Sequence, residues 1–251
     1  RSEIAVLLGR ATAIDPDWLA IHFPKEFRES SQVIFNAQER RVMERHIISF
    51  QDLVIEDREV QGPSAELAAN LLAQEILEGR LVLKHWSDSV EQWITRLNLL
   101  AESMPELEIA PIGTREDRQL IFEQICFGAL NYKDIKDHPV WPVLKAWLSA
   151  QQLAALDYYL PCCMTLPNQK RPAPVRYEKS RAILSATVQD LYDVNPAKLS
   201  IAQGRIPLVI EVLAPNRRPV QVTQDLNQFW ETSYPQIKKD LKGRYPKHEW
   251  R

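Results

Sequence analysis

Gln61-Gly62-Pro63-Ser64 separates two hydrophobic periodicities, and that change sets the fold class. On its N-terminal side the apolar residues follow a strand-like pattern. Ile4–Leu8, Gln32–Phe35, Val42–Phe50 and Leu53–Ile55 read as short strands, broken by polar runs such as Asn36-Ala37-Gln38-Glu39. Strands at this spacing predict a meander or part of a small barrel. Asp15-Pro16-Asp17-Trp18-Leu19 interrupts them with a helix start, Asp15 standing as N-cap and Pro16 at the first helical position. On the C-terminal side the period becomes about 3.6. Ser64 opens an amphipathic helix that carries Leu67, Leu71, Leu72, Ile76 and Leu77 and closes at Gly79. A second runs from Trp86 to Met104, with Val90, Trp93, Ile94, Leu97, Leu100 and Ala101 on one face and Ser87 or Asp88 as its cap. Thr114 through Phe127 gives a third, and Pro139 through Leu160 supplies one or two more. A β-rich unit over residues 1–62 therefore precedes a helical unit over residues 63–160.

After Pro161 the pattern is mixed again. Thr165–Pro167 and Val175–Tyr177 predict a hairpin, Ala182 to Tyr192 a strand leading into a helix, and Leu208–Leu213 a buried strand. Thr223 is positioned to cap a helix with Leu226, Phe229 and Trp230 on one side. Pro235 begins another, with Ile237 and Leu241 one turn apart and Gly243 at its end. The predicted class is α+β in several units, residues 161–251 forming the third.

With 251 residues, 45% hydrophobic and 25% charged, the chain has an ordinary globular composition and can bury a substantial core. No apolar run approaches the ~20 residues that a bilayer span requires, so no membrane span is predicted. Cys126, Cys162 and Cys163 are too few for a disulfide framework, and an odd number argues for a reducing, cytoplasmic setting. The net charge of −2 conceals an asymmetry: residues 1–160 hold 16 Lys and Arg against 25 Asp and Glu, whereas residues 161–251 hold 15 against 8. A basic C-terminal unit has two readings, contact with phosphates or docking on the acidic remainder of its own polypeptide.

Few residues form a plausible reaction centre. Asp134, Asp137 and His138 resemble a metal cluster, yet Pro139 pushes His138 out of the helical region, and an acidic helix end beside Lys133 and Lys136 is the simpler reading. Cys162-Cys163 lacks the Cys-x-x-Cys spacing of redox pairs, and buried inert thiols are the default. Glu106 and Glu108 show no sign of the contrasting environments that split a carboxylate pair into acid and base. No Gly-Lys pair, Asp-Glu-Ala-His box or Gly-x-Gly-x-x-Gly run occurs, and seven glycines leave little material for phosphate loops. ATP hydrolysis by this chain alone is not expected, and neither cofactor nor metal is assigned to it.

The strongest functional candidate is the basic end of the chain. Lys238, Lys239 and Lys242 lie toward the end of the Pro235 helix, followed by Arg244, Lys247 and His248 with Tyr245 interleaved. Cations beside an aromatic face suit phosphate contact with base stacking. Lys and Arg in a last helical turn are equally favoured by the helix macrodipole with no ligand at all. Arg217 and Arg218, before Pro219, form a second candidate whose guanidinium forks fit a phosphate or a carboxylate. Trp141, Trp147, Tyr158 and Tyr159 offer either core packing or anchors for a protein partner.

Four short motifs in order, Gly204-Arg205-Ile206-Pro207-Leu208, Arg218-Pro219-Val220-Gln221-Val222-Thr223, Asp225-Leu226 with Phe229-Trp230, and Arg244-Tyr245-Pro246-Lys247-His248, closely resemble the C-terminal region of HrpB-type bacterial helicases. These are a branch of the DEAH-box ATP-dependent RNA helicases. The Ile14–Leu19 run resembles the same family, and analogy with DEAH helicases implies a partial OB-like fold for the first unit, its earliest strand or strands missing. The resemblance implies an upstream motor in the same polypeptide that hydrolyses ATP with Mg²⁺. This chain is then expected to be a C-terminal fragment that enters mid-fold at Arg1-Ser2-Glu3 without an initiator Met. Its implied role is to assist single-stranded RNA binding or to recruit a protein partner. The alternative is a protein-interaction scaffold with no nucleic-acid role. Glu249-Trp250-Arg251 departs from the Pro-Trp-Pro acidic tail common in the family and keeps only the Trp.

Overall fold

The computed structural model describes residues 14–60, 62–168 and 171–251. The expected strand at Ile4–Leu8 lies outside the described residues. In chain order the elements are α1 (Pro16–His22), β1 (Phe27–Asn36), β2 (Arg41–Phe50), β3 (Leu53–Glu59), α2 (Ala65–Leu77), α3 (Asp88–Ser103), α4 (Arg115–Cys126), α5 (Tyr132–Ile135), α6 (Trp141–Ala146) and α7 (Ala150–Tyr159). There follow β4 (Cys163–Met164), β5 (Ala173–Tyr177), β6 (Ala182–Thr187), β7 (Leu208–Leu213), β8 (Pro219–Thr223), α8 (Leu226–Gln228) and α9 (Tyr234–Lys242). The class is α+β, as the periodicities predict, with two sheets among the described residues. Two compact units emerge, Arg1–Val82 with Phe122–Asp137, and Leu83–Ile121 with His138–Arg251. Among the described residues no helix is long and apolar enough to cross a membrane.

In the first unit β1, β2 and β3 form an antiparallel meander in sequence order, with Phe27 opposite Phe50 and Phe50 opposite Leu53. Diagonal ion pairs reinforce β2 and β3: Arg41 grips Glu59 with two bonds of 2.6 and 2.8 Å, and Arg45 grips Asp57 at 2.7 and 2.8 Å. Asp15 accepts from the Asp17 amide, capping α1 as its sequence predicts. Ser64 caps α2 in the same way. The buried face of α2 is Ala68, Ala69, Leu72 and Ala73, while Leu67 is exposed. Of the expected stripe Leu72 is buried and Leu71, Ile76 and Leu77 are half-buried, so Leu67 alone is misplaced, and alanines complete the face of α2 that packs on β1 and β2.

The second unit is built on the mixed sheet β4-β5-β6-β7-β8. Its centre is the parallel pair β6 and β7, in which Ala182 faces Leu208 and Thr187 faces Leu213; β5 and β8 flank it antiparallel. Leu208–Leu213 is the buried strand its sequence predicts. A parallel pair demands a crossover, and residues 188–207 make it through three 3₁₀ turns rather than a long α-helix. The helix expected before Tyr192 is accordingly a 3₁₀ turn, Gln189–Leu191. The predicted hairpin exists, but its first strand is Cys163–Met164 and not Thr165–Pro167. On α3, Val90, Trp93, Ile94, Leu97 and Leu100 are buried as expected. The amide and carbonyl of Asn98 bond the backbone of Ile112 at 3.0 and 2.7 Å, fixing the return of the chain along α3.

Candidate nucleic-acid interface

The chain enters α9 through a π-helical turn, Phe229–Ser233, that follows α8. Asp225, not Thr223, caps α8: its carboxylate accepts from the Gln228 amide at 3.0 Å, while the Thr223 hydroxyl receives the Asp225 amide at 3.1 Å. The wider turn gathers Phe229, Trp230 and Tyr234 into one cluster, in which Trp230 and Tyr234 meet Tyr192. The Tyr192 and Trp230 rings stack at 5.4 Å, and Trp230 meets Tyr234 edge-on at 4.9 Å. With Leu241 also buried and Ile237 half-buried, α9 sets its apolar face inward. Lys239 and Lys242 are left on the outer side.

The last residues fold back onto this aromatic cluster. Tyr192 and Tyr234 share a hydroxyl bond of 2.6 Å, and the Tyr234 hydroxyl donates to the Arg251 carbonyl at 2.8 Å. Burial, and then the neighbouring Tyr192 hydroxyl, push the Tyr234 phenol above its usual range. The Arg251 guanidinium lies 4.7 Å over the Tyr192 ring and bonds both Asp193 oxygens at 2.6 and 2.7 Å. That guanidinium, with help from Asn168, holds the Asp193 carboxyl below its ordinary value. The Trp250 indole donates to the Tyr245 carbonyl at 3.0 Å, so the segment also closes on itself.

This architecture sorts the predicted site residues. Lys238 donates to the Arg251 carbonyl at 2.7 Å and serves the fold-back. Tyr245 is half-buried with His248 edge-on at 6.1 Å. Lys239, Lys242, Arg244 and Lys247 are exposed, and no ion pair of theirs occurs among the described residues. Lys238, Lys239 and Lys242, with Pro235, Gly243 and Pro246, line a shallow open cavity of about 620 Å³. Arg217 and Arg218 occupy the turn between β7 and β8, Arg217 with φ of 64°, and are not part of that lining. Both are exposed, and neither is fixed by a carboxylate among the described residues.

Sequence reasoning missed Tyr192, Asp193 and Arg251, whose only signal was an aromatic-acid pair in a 3₁₀-rich crossover. It also missed a cationic surface in the first unit. There Arg40, Tyr132, Lys133 and Lys136 line a cavity of about 500 Å³, with the Arg40 guanidinium 5.5 Å over the Tyr132 ring. These residues come from segments far apart in sequence. The Asp134, Asp137 and His138 cluster does not assemble: Asp134 instead closes a capping box with Asn131, and no group of three or more His, Cys, Asp or Glu suited to a metal ion occurs among the described residues. Cys162 and Cys163 are exposed rather than buried, Cys163 opening the short edge strand β4 and Cys162 preceding it. Cys126 alone is buried, and burial pushes its thiol up to about 12.

The chain is similar in sequence and fold to known proteins. Residues 122–251 match the HrpB_C family model, described as ATP-dependent helicase C-terminal. Over 248 residues the chain is 27% identical to the ATP-dependent RNA helicase HrpB of Escherichia coli K12, covering 96% of this chain and 30% of that protein. The crystal structure of the E. coli DExH-box NTPase HrpB superposes with a TM-score of 0.66 and 26% identity, over 98% of this chain and 32% of that one. That of the Escherichia coli DEAH/RHA helicase HrpB gives 0.63 and 25%, over 91% and 29%. The chain thus spans about 30% of the length of the relatives it matches. With over half its residues inside the family model, the chain belongs to the HrpB_C family, the C-terminal region of HrpB-type ATP-dependent helicases.

Proposed function

We propose that this region assists an RNA helicase by holding the phosphate backbone of single-stranded RNA on the outer side of α9 and the segment after it. The supporting observation is that Lys239, Lys242, Arg244 and Lys247 are exposed without counter-charges among the described residues, next to an open lysine-lined cavity. Asp240, the one acid within α9, accepts from Gln236 at 2.8 Å rather than from these cations. Four phosphate contacts on a single strand give a slope of about −2.8 in log affinity against log salt. ATP and Mg²⁺ belong, in this proposal, to motor domains of the same polypeptide beyond these residues, in the cytoplasm of a bacterium. The first unit is proposed to act as an OB-like element of the same assembly.

Binding of labelled single-stranded RNA across a salt series tests this reading. Affinity falling with a slope near −2.8 supports it, and no binding at low salt overturns it. The second outcome favours a protein-recruiting scaffold. One observation speaks for that alternative: Tyr158 is 79% exposed and meets Tyr159 edge-on at 5.0 Å, as an anchor on a partner-facing surface would be.

A further inference from the structure

Arg96, on α3, is the one charged side chain buried among the described residues, at 5% exposure. Its Nη2 donates to Asp157, whose own side chain is 69% exposed. Its Nη1 stands 2.7 Å from the Cys162 sulfur, and its Nε is buried with no acceptor. A guanidinium has five N–H donors, and sulfur is a weak acceptor. Two partners therefore leave the cation under-satisfied in a place where desolvation is costly.

Arg96 and Cys162 both line a cavity of about 550 Å³ within the second unit, in the range of small-molecule sites. Its walls are largely apolar: Trp93 and Trp141, edge-to-face at 6.2 Å, with Val175 and Tyr177. The walls are also fixed in place. Gln92 on α3 donates to the Tyr177 carbonyl at 3.2 Å and accepts from the Tyr177 amide at 3.1 Å, sewing the helix to β5. A rigid aromatic pocket with an under-satisfied buried cation has the chemistry of an anion site.

We propose that this cavity binds a small organic anion, its phosphate or carboxylate head bonded to Arg96 and its apolar or aromatic body against Trp93, Trp141 and Tyr177. The site shares no residue with the α9 surface, so it stands or falls independently of RNA binding. Cys162 is a built-in reporter. An iodoacetate anion docked on Arg96 presents its carbon to the sulfur, where the S–C bond forms, iodide leaves and the thiol proton goes to solvent. Cys163, also exposed and adjacent in the chain, is the internal reference.

The experiment measures alkylation of the intact chain by iodoacetate and by neutral iodoacetamide, with each cysteine quantified by tandem mass spectrometry. The expected iodoacetate-to-iodoacetamide ratio is about tenfold higher at Cys162 than at Cys163, a preference of about 1.4 kcal/mol. Benzoate or adenosine monophosphate should erase it, and whichever protects at lower concentration identifies a carboxylate or a phosphate ligand. Asp157→Asn, which removes the competing negative charge at the surface, should raise the ratio further. Equal ratios at the two cysteines in the unaltered chain would overturn the proposal. So would a preference that neither anion lowers, or one that Asp157→Asn leaves unchanged.

Discussion

Arg251 stacks over Tyr192, bonds Asp193 and Glu249 through its guanidinium, and offers its carbonyl to Tyr234 and Lys238. One residue thereby ties the returning segment to the aromatic cluster beneath α9. Asp193→Asn removes the charge from this tie. The expected result is faster amide exchange over residues 245–251, with little change in the midpoint of global unfolding. The pH dependence follows from the lowered Asp193 carboxyl, whose contribution is complete above the unfolded value of about 3.9 and is lost as pH falls through the lower folded value. Tryptophan fluorescence from Trp230 and Trp250 should stay flat from about pH 7 to pH 5 and change only in the acid limb. In Asp193→Asn that limb should shrink. Residue-scale reasoning from sequence reached the exposed cations at 239, 242, 244 and 247 but not this clamp. Periodicity reports which face is buried, not which carbonyl a terminal arginine will offer.

Caps and turns were the most legible elements, since their chemistry is local. Asp15, Ser64 and the Gly243 stop stand where spacing alone places them. Elements shaped by tertiary packing were less legible. The α2 face takes in its alanines and leaves out Leu67, and one cap failed for a local reason: the Thr223 hydroxyl is bonded to the Asp225 backbone, leaving Asp225 to cap α8. The crossover at residues 188–207 carries no helical period because it is built of 3₁₀ turns. Asn98 is a further case of a polar residue whose role only the fold reveals. Its side chain satisfies both the N–H and the C=O of Ile112, itself 1% exposed. Asn98→Ala leaves two buried backbone groups unpaired and is expected to cost about 2–3 kcal/mol, read as a lowered urea midpoint with an unchanged slope. A loss under about 0.5 kcal/mol would show that water replaces the side chain.

For the whole molecule, periodicity divides the chain near residues 62 and 160, whereas compactness groups it into Arg1–Val82 with Phe122–Asp137 and the remainder. The charge asymmetry was fully legible, since it needs only counting, but its consequence depends on which cations the fold leaves free. Lys238 is engaged; Lys239, Lys242, Arg244 and Lys247 are not.

The most direct test compares two fourfold alanine variants of this chain for affinity to single-stranded RNA at several salt concentrations. One replaces Lys239, Lys242, Arg244 and Lys247; the other replaces Lys25, Arg28, Arg171 and Lys198, four exposed cations elsewhere. RNA held on the α9 surface predicts that the first variant loses most of its affinity and flattens its salt slope by about 2.8, while the second retains the slope of the parent chain. Equal losses in the two variants, or an unaltered slope in the first, would contradict it.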